Sequence, residues 1–320
     1  MTRALAAEGH EVTVAVPVVG PDDGSAGRTV PAAIVSVPPP SRRGPRWVRE
    51  LAEVRHSRRL FAAAPRGVDL LWERHSLHAD GGWRWARQHG IPRLLELDAP
   101  LLLERQATDP VALPALARHL EEASLRHAQH VFAVSRWLVT WATARGAASV
   151  HHLANGTQRP QRLPSPGTGV VLGYVGSCRA WHGLDRLPAL LDALPGARAI
   201  VNGEGPCPPP SDPRIERRPP TADLDAALSG VSVAIAPGEA PPWVCPLKLL
   251  DYRARGLPIV ASDVGDAREL VGDAGEVLPA TASIDQWAAA VRRQAGRTPA
   301  PWLRTWRDVA REALGRVALA

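Results

Sequence analysis

Short apolar segments alternate with segments of helical period along almost the whole of this 320-residue chain. No other feature restricts the fold as much. Repeated strand–helix alternation builds parallel sheets covered by helices on both faces. In the first half the spacing predicts strands at 11–17, 68–72, 93–97, 130–134 and 150–153. Between them lie a short helix over 2–8 stopped by Gly9, a long helix with Trp47, Leu51, Val54 and Phe61 on one face, and a helix at 83–89. Another carries Leu113, Leu116, Leu120 and Ala123, and Ser135 is placed to cap the next. In the second half strands are expected at 170–175, 199–201, 231–236, 258–262 and 276–278, and helices near 183–194, 221–229, 246–255, 266–271 and 283–295. A final helix is expected over 301–318. Proline and glycine crowd 17–45, and the polar, proline-rich segment 157–169 reads as a linker. The expectation is an α/β protein of two doubly wound domains facing each other across a cleft. They span 1–158 and 159–298, and 299–320 is a C-terminal helix able to pack back on the first domain.

Length suits two domains of roughly 150 residues. The cysteines, Cys178, Cys207 and Cys245, form no CxxC pair, which argues against a zinc ribbon or a disulfide framework and for a reducing compartment. No apolar run approaches the ~18 residues of a membrane span, and the first residues lack the apolar stretch of a signal peptide. Cytoplasmic residence is expected, with contact at a membrane surface left open. Basic residues number 38 against 32 acidic, a formal charge of +6. A pI near 10.1 invites a nucleic-acid reading, but the arginines are interspersed with acids and no aromatic-basic strip accompanies them. No nucleic-acid partner is expected.

Three segments can carry chemistry. In Tyr174-Val-Gly-Ser-Cys-Arg-Ala-Trp-His-Gly183, a strand leads through a loop to a helix start. Gly176 allows close backbone approach, and Arg179 and His182 can meet an anion there. Val201-Asn-Gly-Glu-Gly-Pro206 again follows a strand, with Gly203 and Gly205 suited to a tight turn under a ligand. The third runs from Trp243 to Ser262. Pro246 can open a helix, and Lys248 and Asp251 then share one face. Lys248 is the only lysine in an arginine-rich chain, which singles this helix out.

With these segments in order, the chain resembles glycosyltransferase family 4, retaining enzymes of the GT-B fold. Residues 2–17 look like the family's first helix and second strand. Ala133-Val-Ser-Arg-Trp resembles its "vS.w" element, and His152-Leu-Ala-Asn-Gly156 resembles "iPNG". Val201–Pro206 resembles "ivGdGP". The most specific match is Pro246–Ser262, which resembles "PLKLfEYmA.G.PVvaS".

The resemblance implies a nucleotide-diphospho-sugar donor in the C-terminal domain, an acceptor in the N-terminal domain, domain closure, and transfer with retention of configuration. It implies no bound metal and no cofactor beyond the donor. The acceptor class, glycan, lipid or small molecule, is left open. Asp251 falls where the second Glu of the family's E-x7-E motif holds the ribose, and Trp243 falls on the first Glu, with Glu239 near but out of register. Leu247 and Lys248 fall where backbone amides meet the diphosphate, and Pro246, which opens that helix, is counted among the donor-binding residues. Ser177 stands where many members carry a phosphate-binding arginine, and His182 where they carry its partner lysine. Arg179 can supply the missing charge, so Arg179, His182 and Lys248 are expected to stabilise the leaving diphosphate, with Gly176, Ser177, Gly203 and Glu204 around the donor. Asp98 falls near a polar residue that faces the reacting sugar, and Glu73, Arg74, His75 and Glu104 are further candidates in that wall.

One departure from the family concerns the beginning. Members start with a strand and a glycine-rich loop, whereas Met1 lies inside the first helix, so the N-terminal sheet is expected to lack its first strand. A start assigned too late or a truncated copy would both produce this. The alternative function is therefore a degenerate GT-B protein that binds a sugar nucleotide or a partner enzyme without turnover. A sugar-nucleotide epimerase of the same fold, acting with no acceptor, is a related alternative. A nucleic-acid binder rests on pI alone.

Overall fold

The computed structural model describes residues 1–17, 32–41, 43–161 and 169–318. Most of the 17–45 segment and the middle of the expected linker, 162–168, lie outside the described residues. The chain divides into two compact units, Met1–Ala154 with Arg307–Ala320, and Asn155–Trp306.

The first unit runs α1 (Thr2–Ala7), β1 (Thr13–Pro17), β2 (Ala33–Val37), α2 (Arg46–Ala62), β3 (Leu71–Arg74), α3 (Gly81–His89), β4 (Arg93–Leu97), α4 (Leu101–Thr108), α5 (Pro114–Arg126), β5 (His130–Ala133), α6 (Arg136–Thr143) and β6 (Val150–His152). All pairings are parallel: β3, β4, β5 and β6 form one sheet in that order, and β1 and β2 form a separate pair. Leu94, Leu95 and Leu97 are fully buried on the central strand β4. Ser135 caps α6, accepting the Leu138 N–H at 3.3 Å.

The second unit runs β7 (Val171–Val175), α7 (Leu187–Asp192), β8 (Arg198–Asn202), β9 (Ile215–Arg218), α8 (Leu224–Ala227), β10 (Val233–Ala236), α9 (Leu247–Ala254), β11 (Ile259–Ser262), α10 (Ala267–Val271), β12 (Gly275–Leu278) and α11 (Ile284–Gln294). Helix α12 (Trp306–Ala318) closes the chain. The sheet is parallel in the order β12-β11-β10-β7-β8-β9. The strand order therefore reverses between β7 and β10, and the crevice at their carboxyl ends is where such sheets bind ligands. Side chains alternate along β7: Leu172 and Tyr174 enter one core with Trp287 of α11, and Val171 and Val175 enter the other with Leu250 and Tyr252 of α9.

Three elements go beyond the sequence expectation: β2, β9 and α4. The long helix also turns differently. Glu50, Val54, Ser57 and Phe61 are buried, whereas Trp47 and Leu51 are exposed. Non-local partners rotate the helix: Glu50 accepts from the Ala112 and Leu113 N–H groups at 2.7 and 2.8 Å, and Ser57 Oγ accepts from Gly81 N–H at 2.9 Å. Residues 155–158 and 299–306 belong with the second unit, where Thr157 pairs with Thr305 as an isolated parallel bridge. Among the described residues no helix is long and apolar enough to cross a membrane.

Candidate active site

The loop after β7 is cradled by the loop after β8. Gly176 N–H donates to the Asn202 carbonyl at 3.0 Å, Cys178 N–H to Glu204 at 2.8 Å, and Cys207 N–H back to Cys178 at 3.0 Å. So tight a pairing excludes side chains. Gly203 has φ +149°, and a Cβ there would collide with the Gly176 carbonyl oxygen; at Gly205 it would strike that of Cys178. This accounts for the two glycines of the Val201–Pro206 segment. The loop then forms a single 3-10 turn at Ala180–His182, with Gly183 in the left-handed conformation after it.

Helix α9 begins behind Pro246, whose φ of −75° suits a helix entry. Tyr252, fully buried, fixes α9 to the sheet: its hydroxyl accepts from Val175 N–H at 3.0 Å and donates to the Ile235 carbonyl at 3.4 Å. One turn earlier on the same face, Lys248 points back at β7. Its Nζ donates to the Tyr174 hydroxyl at 3.1 Å and lies 4.4 Å from that ring's centroid. Among the described residues no carboxylate pairs with it. Burial pushes the ammonium pKa down to about 8, and only the nearby Cys178 acts the other way.

His182 differs from its expected role as a cation. Burial, then the neighbouring Lys248 and Arg179 charges, push its pKa down to about 4, against a smaller opposite effect of the Ser177 carbonyl. At neutral pH the imidazole is uncharged. Its Nδ1 accepts the Arg179 N–H at 3.3 Å, which makes it a cap for the 3-10 turn rather than a charge. Arg179 is exposed, with its guanidinium 5.8 Å from the Trp181 ring centroid. The Ser177 carbonyl accepts from the Tyr174 hydroxyl at 2.7 Å.

Asp251 lies one turn along α9 from Leu247. The Thr157 hydroxyl donates to its Oδ1, and burial pushes its pKa above the usual carboxylate range, opposed by Thr157 and Arg255. Thr157 is itself buried. Sequence reading assigned it to the linker, and nothing in the sequence signals a partner 94 residues away. Nor does the sequence signal the Tyr174 hydroxyl as a partner of Lys248, 74 residues away.

Tyr174, Arg179, His182, Lys248 and Asp251 line one cavity of about 800 Å³. Gly176, Ser177, Arg179 and His182 form one wall, with Gly203 and Glu204 beside them. Pro246, Leu247, Lys248 and Asp251 form another, and Pro220, Leu224 and Ala227 an apolar end. The first amides of α9 have no partner within the helix and open the cavity to negative charge. Neither Glu239 nor Trp243 lines it. All the lining residues belong to the second unit. Asp98 is in the first, ion-paired with Arg74 at 2.5 Å. Glu73 accepts from Arg93 at 2.6 Å, buried His75 faces Glu121 at 3.4 Å, and Glu104 is exposed on α4. These five residues belong to the first unit.

Two sequence-family models together match most of the chain: residues 1–156 match a glycosyl transferase 4-like domain, and residues 169–295 match glycosyl transferases group 1. The chain belongs to this glycosyltransferase family. No curated protein matches it. Solved structures match the GT-B fold of this glycosyltransferase over nearly its whole length. Sucrose-phosphate synthase from Thermosynechococcus elongatus superposes with a TM-score of 0.70 at 19% identity, covering 98% of this chain and 86% of its own. HepE of Anabaena, in complex with UDP and glucose, gives 0.64 at 14% identity, covering 91% and 87%. WaaG, a glycosyltransferase involved in lipopolysaccharide biosynthesis, gives 0.63 at 14% identity, covering 98% and 89%. At such identities the likeness establishes the fold of this glycosyltransferase and not its substrates.

Proposed function

We propose that this glycosyltransferase moves a sugar from a nucleotide-diphospho-sugar to an acceptor hydroxyl with retention, and that the cavity of the second unit holds the donor. The observation that carries this reading is Lys248, a half-buried ammonium with no carboxylate partner among the described residues, facing a cavity beside a helix N-terminus. Burying an unpaired cation is costly, and a diphosphate would supply the missing counter-charge. The diphosphate would rest against Lys248, Arg179 and the amides of Leu247 and Lys248. Asp251 keeps one carboxylate oxygen for the ribose hydroxyls, and the apolar end near Pro220 and Leu224 takes the base. As the bond from the anomeric carbon to the leaving oxygen breaks, charge grows on the departing phosphate. Lys248 is already ordered and desolvated there, so it stabilises that charge without reorganisation. His182 holds the loop in shape as a neutral cap. Asp98, committed to Arg74, enters no step.

HepE holds UDP-glucose in its solved complex, so that donor is the first to test here. The acceptor, a glycan, lipid or small molecule, is met from the first unit. The three cysteines are free thiols, which suits a cytoplasmic, reducing setting. The test is turnover of UDP-sugars with an acceptor panel, followed by NMR of the product. An anomeric configuration equal to the donor's supports the reading, and inversion overturns retention.

A second reading, a non-catalytic donor binder, is favoured by one observation: the usual acidic contact to the donor sugar is missing from the cavity lining, with Trp243 and Glu239 both outside it. It predicts nucleotide binding with no product from any acceptor.

A further inference from the structure

The cavity runs along the carboxyl edge of the second unit's sheet, from the loop after β9 to the loop after β11. Its two sides differ in chemistry. Pro220 and Leu224, on the β9 side, are given to the base, and Asp251, Lys248 and the first amides of α9 to the ribose and diphosphate. The sugar then falls on the other side, among the residues that follow β10 and β11. This placement rests on the donor reading.

That side offers few hydrogen bonds. Ala240, Val244, Cys245 and Val264 line it, all of them half-buried. The backbone adds little. Pro241, Pro242 and Pro246 carry no N–H. The Val244 N–H is spent on the Pro241 carbonyl at 3.1 Å, the Glu239 N–H on the Trp181 carbonyl at 2.7 Å, and the Asp263 N–H on the Leu278 carbonyl at 2.7 Å. From β10 onward the polar side chains on the lining are Lys248, Asp251 and Ser262. Ser262 is buried, and its hydroxyl has no partner among the described residues. Trp181, whose backbone the Glu239 bond ties to this side, also lines the cavity and is 45% exposed.

We infer that the transferred sugar is a 6-deoxyhexose, with its methyl group and the apolar side of its ring against Val244, Val264 and Trp181. An ordinary hexose carries a hydroxyl on its exocyclic carbon. Among side chains and prolines that cannot pair with it, that hydroxyl would lose its water and gain nothing in return. A methyl group in its place turns the same contact into a gain from apolar burial. Ser262 remains to hold one ring hydroxyl.

UDP, UDP-glucose and UDP-6-deoxyglucose are titrated calorimetrically into the full chain. The two nucleotide-sugars differ by one oxygen atom. UDP-6-deoxyglucose is expected to bind about tenfold more tightly than UDP-glucose. Val244→Thr keeps the side-chain shape and adds a hydroxyl, so the ratio should narrow to about threefold or less. Trp181→Ser should weaken both nucleotide-sugars and leave UDP unchanged. Thermal unfolding checks that each variant is folded. UDP that binds while the two sugars bind equally, or while UDP-glucose binds the tighter, overturns this inference and leaves the donor reading standing. So does a ratio that Val244→Thr leaves unchanged, or a loss in Trp181→Ser that extends to UDP. No binding of UDP or of either nucleotide-sugar overturns the donor reading, and this inference falls with it.

Discussion

Lys248 donates from Nζ to the Tyr174 hydroxyl across 3.1 Å, and that hydroxyl donates onward to the Ser177 carbonyl at 2.7 Å. This relay joins α9 to the loop after β7 through a cation with no carboxylate partner among the described residues. Such a site favours ligand over fold. Lys248→Met keeps the stem's volume and removes the desolvated charge, so stability should rise by roughly 2 kcal/mol at neutral pH. Denaturant unfolding of both proteins checks this. Equal or lower stability in the variant would mean the ammonium is not held at a cost.

Lys248 also sets a pH dependence. Its pKa in the folded protein is about 8. A diphosphate beside it favours the protonated form and raises that value in the complex. Affinity for UDP-glucose should therefore be flat below pH ~8 and fall above it, approaching tenfold per unit. Calorimetric titration from pH 6.5 to 9.5 reads the slope. Lys248→Arg, charged throughout, should flatten it, and an unchanged slope in that variant would point to another group.

Asp251 and Lys248 should separate by ligand. Asp251→Ala should weaken UDP about 10- to 100-fold, through loss of charged hydrogen bonds to the ribose. Pyrophosphate, which has no ribose, should bind the variant and the wild type alike. A proportional loss for both ligands would remove the ribose role.

Gly203→Ala tests the cradle. Its φ of +149° and the Gly176 carbonyl oxygen leave no space for a Cβ. The substitution should cost about 1–3 kcal/mol and lower Tm by several degrees. A Tm within a degree of wild type would mean the two loops are not packed as described.

The alternation that defines both sheets was legible because central strands such as β7 and β10 are continuous apolar runs and β4 is leucine-rich. Strand β9 escaped because Ile215 is its single apolar residue: as the edge strand it needs little more, and Glu216, Arg217 and Arg218 read as loop. The α2 stripe misled because hydrogen bonding, not apolarity, buries Glu50 and Ser57. Within the candidate site Lys248 announced itself as the only lysine, and the glycines marked close approach. The neutrality of His182 was not legible, since it follows from burial beside a cation 66 positions away in sequence. Thr157 was hidden for the same reason, because its importance comes only from a tertiary partner.

The most direct measurement is calorimetric titration of UDP, UDP-glucose and a panel of other nucleotide-sugars into the full chain and into Lys248→Met. The account predicts saturable binding of at least one nucleotide-sugar at one site, weakened about 10- to 100-fold in the folded variant. No binding by a well-folded wild type, or equal binding by the variant, would contradict the donor site.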